Sequence, residues 1–217
     1  MDFKALFSFL EDLQQNNTKE WMDQHRKRYH ILRNEYIEWL DHMNDVVSTI
    51  DEGYHDTPGK KGINRINNNL MFHPNKPIYK DHFGAILDKA PNHCDFYIHL
   101  GLSECFLAGG FYRPPTTILK SIREAIDYNG EVFEEILNQP SFKTTFGELM
   151  EDEKLRKPPK GFTQDHPHIE LLKNKSFAVM RPLKRTEVYG TKYESILIET
   201  YKEMLPFRNY LNQAVTV

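Results

Sequence analysis

Arginine, lysine and tyrosine crowd into residues 65–80, RINNNLMFHPNKPIYK, around the short apolar run Leu70–Phe72. Arg65, Lys76, Tyr79 and Lys80 are the residue types that hold a phosphate or a carboxylate. Arginine offers a planar fork, lysine a point charge and tyrosine a hydroxyl donor. Asn69 adds a neutral amide that both donates and accepts. The same stretch also reads as a polar strand end and a surface turn with a packed tyrosine, and the residue types alone leave both readings open.

Two more places could contribute to an anion site. FLAGGFYRPP sets Gly109 and Gly110 at a strand end just before a helix, where a missing Cβ lets a ligand or a neighbouring strand approach the backbone. Arg113 follows them, and Arg181 closes the strand-like SFAVMRPL. If these strand ends are neighbours, Arg65, Arg113 and Arg181 converge on one pocket. The Gly-x-x-x-x-Gly-Lys-Ser/Thr spacing of a phosphate-binding loop is absent, and no cofactor is expected. No metal site is expected either: His166 and His168 are two apart on an inferred helix start, and neither His-Glu-x-x-His nor Cys-x-x-Cys occurs. Ser103 and Cys105 lie near His99 without a nucleophile-elbow pattern, so the catalytic residues, if any, are not named by the sequence.

Charge is unevenly spread over a chain whose net charge is only −3. Residues 1–60 carry 12 acidic and 7 basic side chains; residues 60–89 carry 2 and 6, and residues 154–185 carry 2 and 9. Two basic segments in an acidic chain suit an anionic partner. The first expectation is therefore a small anionic ligand in an Arg/Lys/Tyr-lined pocket. The alternative is a nucleic-acid or acidic-protein module using residues 154–185, with Phe162 and Phe177 as stacking platforms.

No run of 18 apolar residues is present, so no membrane span is expected, and the first residues lack the pattern of a signal peptide. Cys94 and Cys105 are too few for a secreted disulfide framework. They flank an inferred hairpin, yet a reduced pair in the cytoplasm is the expectation.

The elements that must position these residues follow from periodicity. Phe3, Leu6, Phe7, Leu10 and Leu13 recur at helical spacing, and Thr18 can cap a second, long helix whose stripe runs from Trp21 through Tyr29, Tyr36 and Met43 to Ile50. GINRINNNLMF has modest strand character, and HPNKP is a turn. CDFYIHLG and ECFLAGGFYR read as a hairpin across LSE. A helix opens at Pro115 and Thr116, with Gly130 separating it from a second or kinking it. Asp165 can cap the short helix HPHIELLKN. TKYESILIETYKEMLPFRNYLNQAV reads as a helix pair broken near Pro206. The expected fold is a single compact α+β domain. Helices occupy about 1–50, a mainly antiparallel sheet about 60–185, and closing helices about 190–215.

NNTKEW, FHPNKPIYKDHFGA, FLAGGFYRPP, LRKPPKGFTQDHPHIELLKNKSFAVMRPL and LPFRNYLNQAV occur here in order along nearly the whole chain. In these motifs the chain resembles the bacterial family catalogued as domain of unknown function 2461. The resemblance implies no activity. It does imply a central pattern of Arg, two variable residues, Arg-Asp, one variable residue and Arg-Phe, then Asp or Asn, Lys, two variable residues and Tyr. Arg65, Phe72, Asn75, Lys76 and Tyr79 fit it, whereas Asn68, Asn69 and Met71 stand where Arg, Asp and Arg are usual. Asparagine keeps hydrogen bonding but cannot shuttle a proton. The replacement is therefore expected to leave a structural or binding role, with a degenerate member that keeps only the fold as the remaining alternative.

Overall fold

Asp2 caps helix α1 (Phe3–Gln15) by accepting the Ala5 N–H at 3.0 Å, and the buried face is Leu6, Phe7, Phe9, Leu10 and Leu13. Thr18 caps α2 (Lys19–Ser48) as its composition predicts, its hydroxyl accepting from the Trp21 N–H at 3.2 Å. The computed structural model describes residues 1–150 and 154–216. The remaining elements are a short α3 (Gly59–Gly62), β1 (His82–Leu87), β2 (Asp95–Gly101), β3 (Cys105–Phe111), α4 (Thr116–Asn138), α5 (Pro140–Phe146), α6 (Ile169–Leu172), β4 (Phe177–Leu183), α7 (Arg185–Val188) and α8 (Tyr193–Ala214). The strands form an antiparallel sheet in the order β1-β2-β3-β4, flanked by helices, which is the α+β class expected from the sequence. Among the described residues no helix is long and apolar enough to cross a membrane.

The chain divides into two compact units. The first comprises Met1–Lys89, Tyr97–Leu107 and Pro182–Ile198. Its core is strongly aromatic: Phe3 meets Trp39 and Tyr193 edge-on at 5.2 Å each, and Trp39 stacks on Tyr193 at 5.5 Å. Tyr36 and Tyr29 carry the same face of α2 onto Phe83 of β1. The second unit comprises Ala90–Phe96, Ala108–Arg181 and Glu199–Val217. There Phe133 of α4 stacks on Phe207 and Tyr210 of α8, and Phe142 of α5 joins Phe207. Cys94 and Cys105 are free and buried.

Several local expectations are corrected. GINRINNNLMF is not a strand; it touches its neighbours only as bridges, Ile63 opposite Ala85 and Asn67 opposite Tyr79. Local bonds replace a ladder: the Asn68 side-chain amide donates to the Pro77 carbonyl at 2.9 Å, and its backbone N–H donates to Ile78 at 2.9 Å. Asp165 does not cap α6, which begins after His168; its carboxylate is held below the usual range by a bond with Thr163 in the preceding turn. Pro206 lies inside one continuous α8. The proline removes one main-chain bond, but Tyr201, Met204, Phe207 and Leu211 are all fully buried at three- and four-residue steps, and their packing holds the helix. In α4 the kink falls on Asn129, at φ −148° and ψ 43°. Gly130 follows it because the His168 ring lies where a Cβ would be, 2.5 Å from that position.

Candidate functional site

Met22, Arg26, Tyr29 and Arg33 follow one another on α2 at steps of four, three and four, which sets them on one helix face. Residues 63–67 and Tyr79 form the opposite wall, and together they enclose a cleft of about 250 Å³. That wall hangs on main-chain bonds: the Asn64 N–H donates to Gly84 at 2.8 Å, and the Lys80 N–H donates to Ile66 at 2.8 Å. Asn17, at the corner between α1 and α2, grips Tyr79 twice. Its Oδ1 accepts the Tyr79 N–H at 2.9 Å, and its Nδ2 donates to the Tyr79 carbonyl at 3.0 Å. The Tyr79 ring is thereby fixed in the wall, 5% exposed.

The cleft is positive. Arg26 is paired with Asp23 one turn earlier. Arg33 bonds the Tyr29 hydroxyl instead of a carboxylate. Among the described residues neither Arg33 nor Arg65 meets an acidic side chain. The surplus charge registers on Lys80, whose pKa is lowered by burial and then by Arg65 and Lys76; its Nζ donates to the Arg65 carbonyl at 2.7 Å.

Arg65 and Tyr79, both expected from the sequence, line this cleft, and Lys80 braces it from behind. Lys76 is exposed in the turn, where its N–H donates to His73 at 3.2 Å. Asn69 is exposed too, and its carbonyl accepts the His73 N–H at 3.0 Å. Gly109, Gly110, Arg113 and Arg181 belong to the second unit and are not in the cleft lining. Arg113 sits at φ 48°, its N–H bonded to the Ser176 hydroxyl at 2.8 Å, and Arg181 Nη1 donates to the Thr200 hydroxyl at 2.8 Å. Gly109 and Gly110 admit Met204 and β4 respectively. Sequence reading missed Arg26, Tyr29 and Arg33 as site residues. The signal was two arginines at helical steps from Tyr29, hidden because the aromatic stripe on the same helix reads as core.

Elsewhere the inferred residues have structural partners. His166 Nε2 meets Asp127 at 2.9 Å, and His168 Nδ1 meets Glu134 at 3.0 Å, so each imidazole is tied to α4 rather than to the other's ligand sphere. Phe177 is fully buried and cannot stack on a base, and Phe162 packs edge-on against His166 at 5.7 Å. The Cys105 thiol is pushed up by burial and bonds the Gly101 carbonyl, as an inert core thiol does.

Next to the cleft wall, β1 and β2 bring His82 and His99 into ring contact at 4.2 Å, and His99 stacks flat on Phe106 at 4.5 Å. Burial, and then the neighbouring His82, lowers the His99 pKa from 6.5 to about 4, against a small opposing pull from Asp81. His82 is also lowered, by burial first, with Asp81 at 3.1 Å and Glu104 opposing and Lys80 reinforcing. Between pH 6.5 and about 4 the unfolded chain therefore takes up protons that the folded chain refuses. Stability is complete above that window and falls as pH drops through it. Urea unfolding at pH 7 and pH 4.5 should differ by about 1–3 kcal/mol from this source, and His99→Gln should flatten the difference. An unchanged pH slope in His99→Gln would remove His99 from the account.

No curated protein and no solved structure matches the chain. Residues 5–210 match the model of the family described as conserved hypothetical protein (DUF2461), and the chain belongs to that family.

Proposed function

We propose that this protein binds a small anion, a phosphate or a carboxylate, in the cleft between α2 and residues 63–67. The observation that carries the reading is the pair Arg33 and Arg65, which face one cavity of about 250 Å³ with no carboxylate to neutralise them among the described residues. Uncompensated guanidinium groups against a wall of Met22, Ile66 and two tyrosine rings raise the local potential, and an oxyanion relieves it. Each guanidinium can meet an oxyanion through two parallel bonds. Arg26 is the third cation, already half-committed to Asp23, and the Tyr79 phenol lies within its electrostatic reach. Lys80 contributes charge from behind and holds Arg65 in place through the backbone. Free, buried thiols fit a bacterial cytoplasmic protein.

Calorimetric titration with inorganic phosphate, sulfate and small carboxylates at low salt tests this. Arg65→Ala is expected to weaken binding by about 10- to 100-fold, because a charge-assisted hydrogen bond contributes about 1.5–3 kcal/mol. Arg33→Ala should do the same. Arg65 is exposed, so the fold should survive its loss. Absence of binding by every small anion, or binding that persists at full strength in both variants, would contradict the proposal.

A further inference from the structure

Asn64 is the point where the cleft meets the polar face of the sheet. It lines the cleft, and its Nδ2 lies 3.0 Å from where a Cβ on Gly84 would stand; the Tyr97 hydroxyl is 2.6 Å from the same position. Any side chain at 84 would occupy the space through which the two groups meet. Tyr97 hydrogen-bonds Asn64 there, and on its other side the hydroxyl reaches His99 Nδ1 at 3.1 Å.

The direction of this chain follows from the protonation states. Burial pushes the Tyr97 pKa up to about 12, so the phenol keeps its proton, and His99, lowered to about 4, is neutral at pH 7. A neutral imidazole held between His82 and Phe106 and offering Nδ1 to a phenol accepts there. The phenol proton is spent on His99, so the phenol oxygen can only accept from Asn64. An asparagine whose NH₂ is taken in this way has one group left for the cleft, its carbonyl oxygen.

We infer that Tyr97 is a positioning residue that turns the Asn64 side chain so that a hydrogen-bond acceptor, Oδ1, stands among the arginines of the cleft. The inference rests on the anion reading above and names the class of anion. An acceptor in an otherwise cationic cleft rejects an anion that has only acceptors, because two oxygen lone pairs then face each other. It favours an anion that still carries a donor: a phosphate with its acidic proton, or a carboxylate with a neighbouring hydroxyl. At neutral pH sulfate has no such proton and phosphate has at least one, so these two ions of similar size separate the effect of charge from the effect of the acceptor.

The test is titration of the full chain at pH 7 and fixed ionic strength with inorganic phosphate, sulfate, glycolate and acetate. The expected result is phosphate over sulfate and glycolate over acetate, by about tenfold or more, since an unmatched buried polar group discriminates at least that strongly. If only one of the two pairs is separated, that pair names the source of the donor, acidic phosphate or hydroxy acid. Tyr97→Phe frees the Asn64 amide to rotate its donors into the cleft, so the phosphate-to-sulfate ratio should fall toward one, chiefly through tighter sulfate binding. A merely structural tyrosine would weaken both ions alike. Asn64→Ala, at an exposed position, should lose the discrimination without loss of fold and serves if Tyr97→Phe does not accumulate. Equal binding of phosphate and sulfate by the unaltered protein, or an undiminished ratio in both variants, overturns the inference while the anion reading stands. Loss of every anion in Arg65→Ala, with discrimination intact in the parent, supports both. No binding of any of the four overturns both.

Discussion

Replacement of Arg208 by alanine is expected to lower the unfolding free energy by about 3–5 kcal/mol. Arg208 is 1% exposed on α8, one of the largest fully buried side chains in the protein. Its Nη2 and Nε both donate to the Cys94 carbonyl, at 2.6 and 3.2 Å, and its guanidinium lies 5.0 Å from the Tyr201 ring centroid. Truncation strips a buried carbonyl of a charge-assisted partner and opens a void the size of an arginine side chain in a packed interior. Arg208→Met separates the two losses, since it refills much of the volume and leaves only the carbonyl unmet; it should cost less than alanine. Arg208→Lys keeps the charge but cannot make the fork, and it should fall between them. Urea unfolding followed by circular dichroism gives all three values. A loss under about 1 kcal/mol for alanine would show that the interior closes around the gap and that Arg208 has another reason to be there.

Gly110→Ala is the second large effect, about 3 kcal/mol or more. Gly110 has φ +111°, a region that side-chain-bearing residues rarely enter. A Cβ there would strike the Phe177 carbonyl and stand 2.9 Å from the Ala178 Cα and 3.0 Å from the Phe207 ring. Two of these obstacles are backbone of β4 and cannot step aside. Gly109→Ala should be milder, because the first atom met is the flexible end of Met204, although the Asp95 carbonyl at 3.0 Å still crowds it. The ordering of the two variants in thermal melts decides what these glycines are for. A normally stable Gly110→Ala would return them to the ligand-binding role that their position before a helix suggests; a collapsed one assigns Gly110 to strand packing.

How much was legible in advance depended on whether the deciding interaction was local. The cap at Thr18, the buried stripe of α1 and the β2–β3 hairpin are written in spacings of two, three and four residues, and the sequence reads them correctly. Arg65 and Tyr79 were legible because charged and phenolic groups stood close together in the chain. Arg26 and Arg33 were not, because their role arises only when α2 lies beside residues 63–67, some 30 positions further along. Pro206 misled for the same reason: local chemistry says break, and the burial of Met204, Phe207 and Leu211 overrules it. The asparagines were ambiguous in the sequence, and their positions separate them. Asn68 ties its own loop closed through Pro77 and Ile78, and Asn64 stands at the cleft beside Tyr97. Asn69 and Met71 are exposed, so the positions where acidic and basic residues are usual in the family face solvent.

The alternation of the two units along the chain has a practical consequence. Each unit is assembled from three separate stretches, and the boundaries fall inside β2, between Phe96 and Tyr97, and inside α8, between Ile198 and Glu199. No single cut releases either one, and no contiguous gene fragment encodes either one. Constructs that end at residue 89 or begin at residue 108 would each sever strands or helices from partners supplied elsewhere. Such fragments are expected to be insoluble or unfolded when expressed alone. Complementation by two co-expressed pieces, rather than truncation, is the way to dissect this chain.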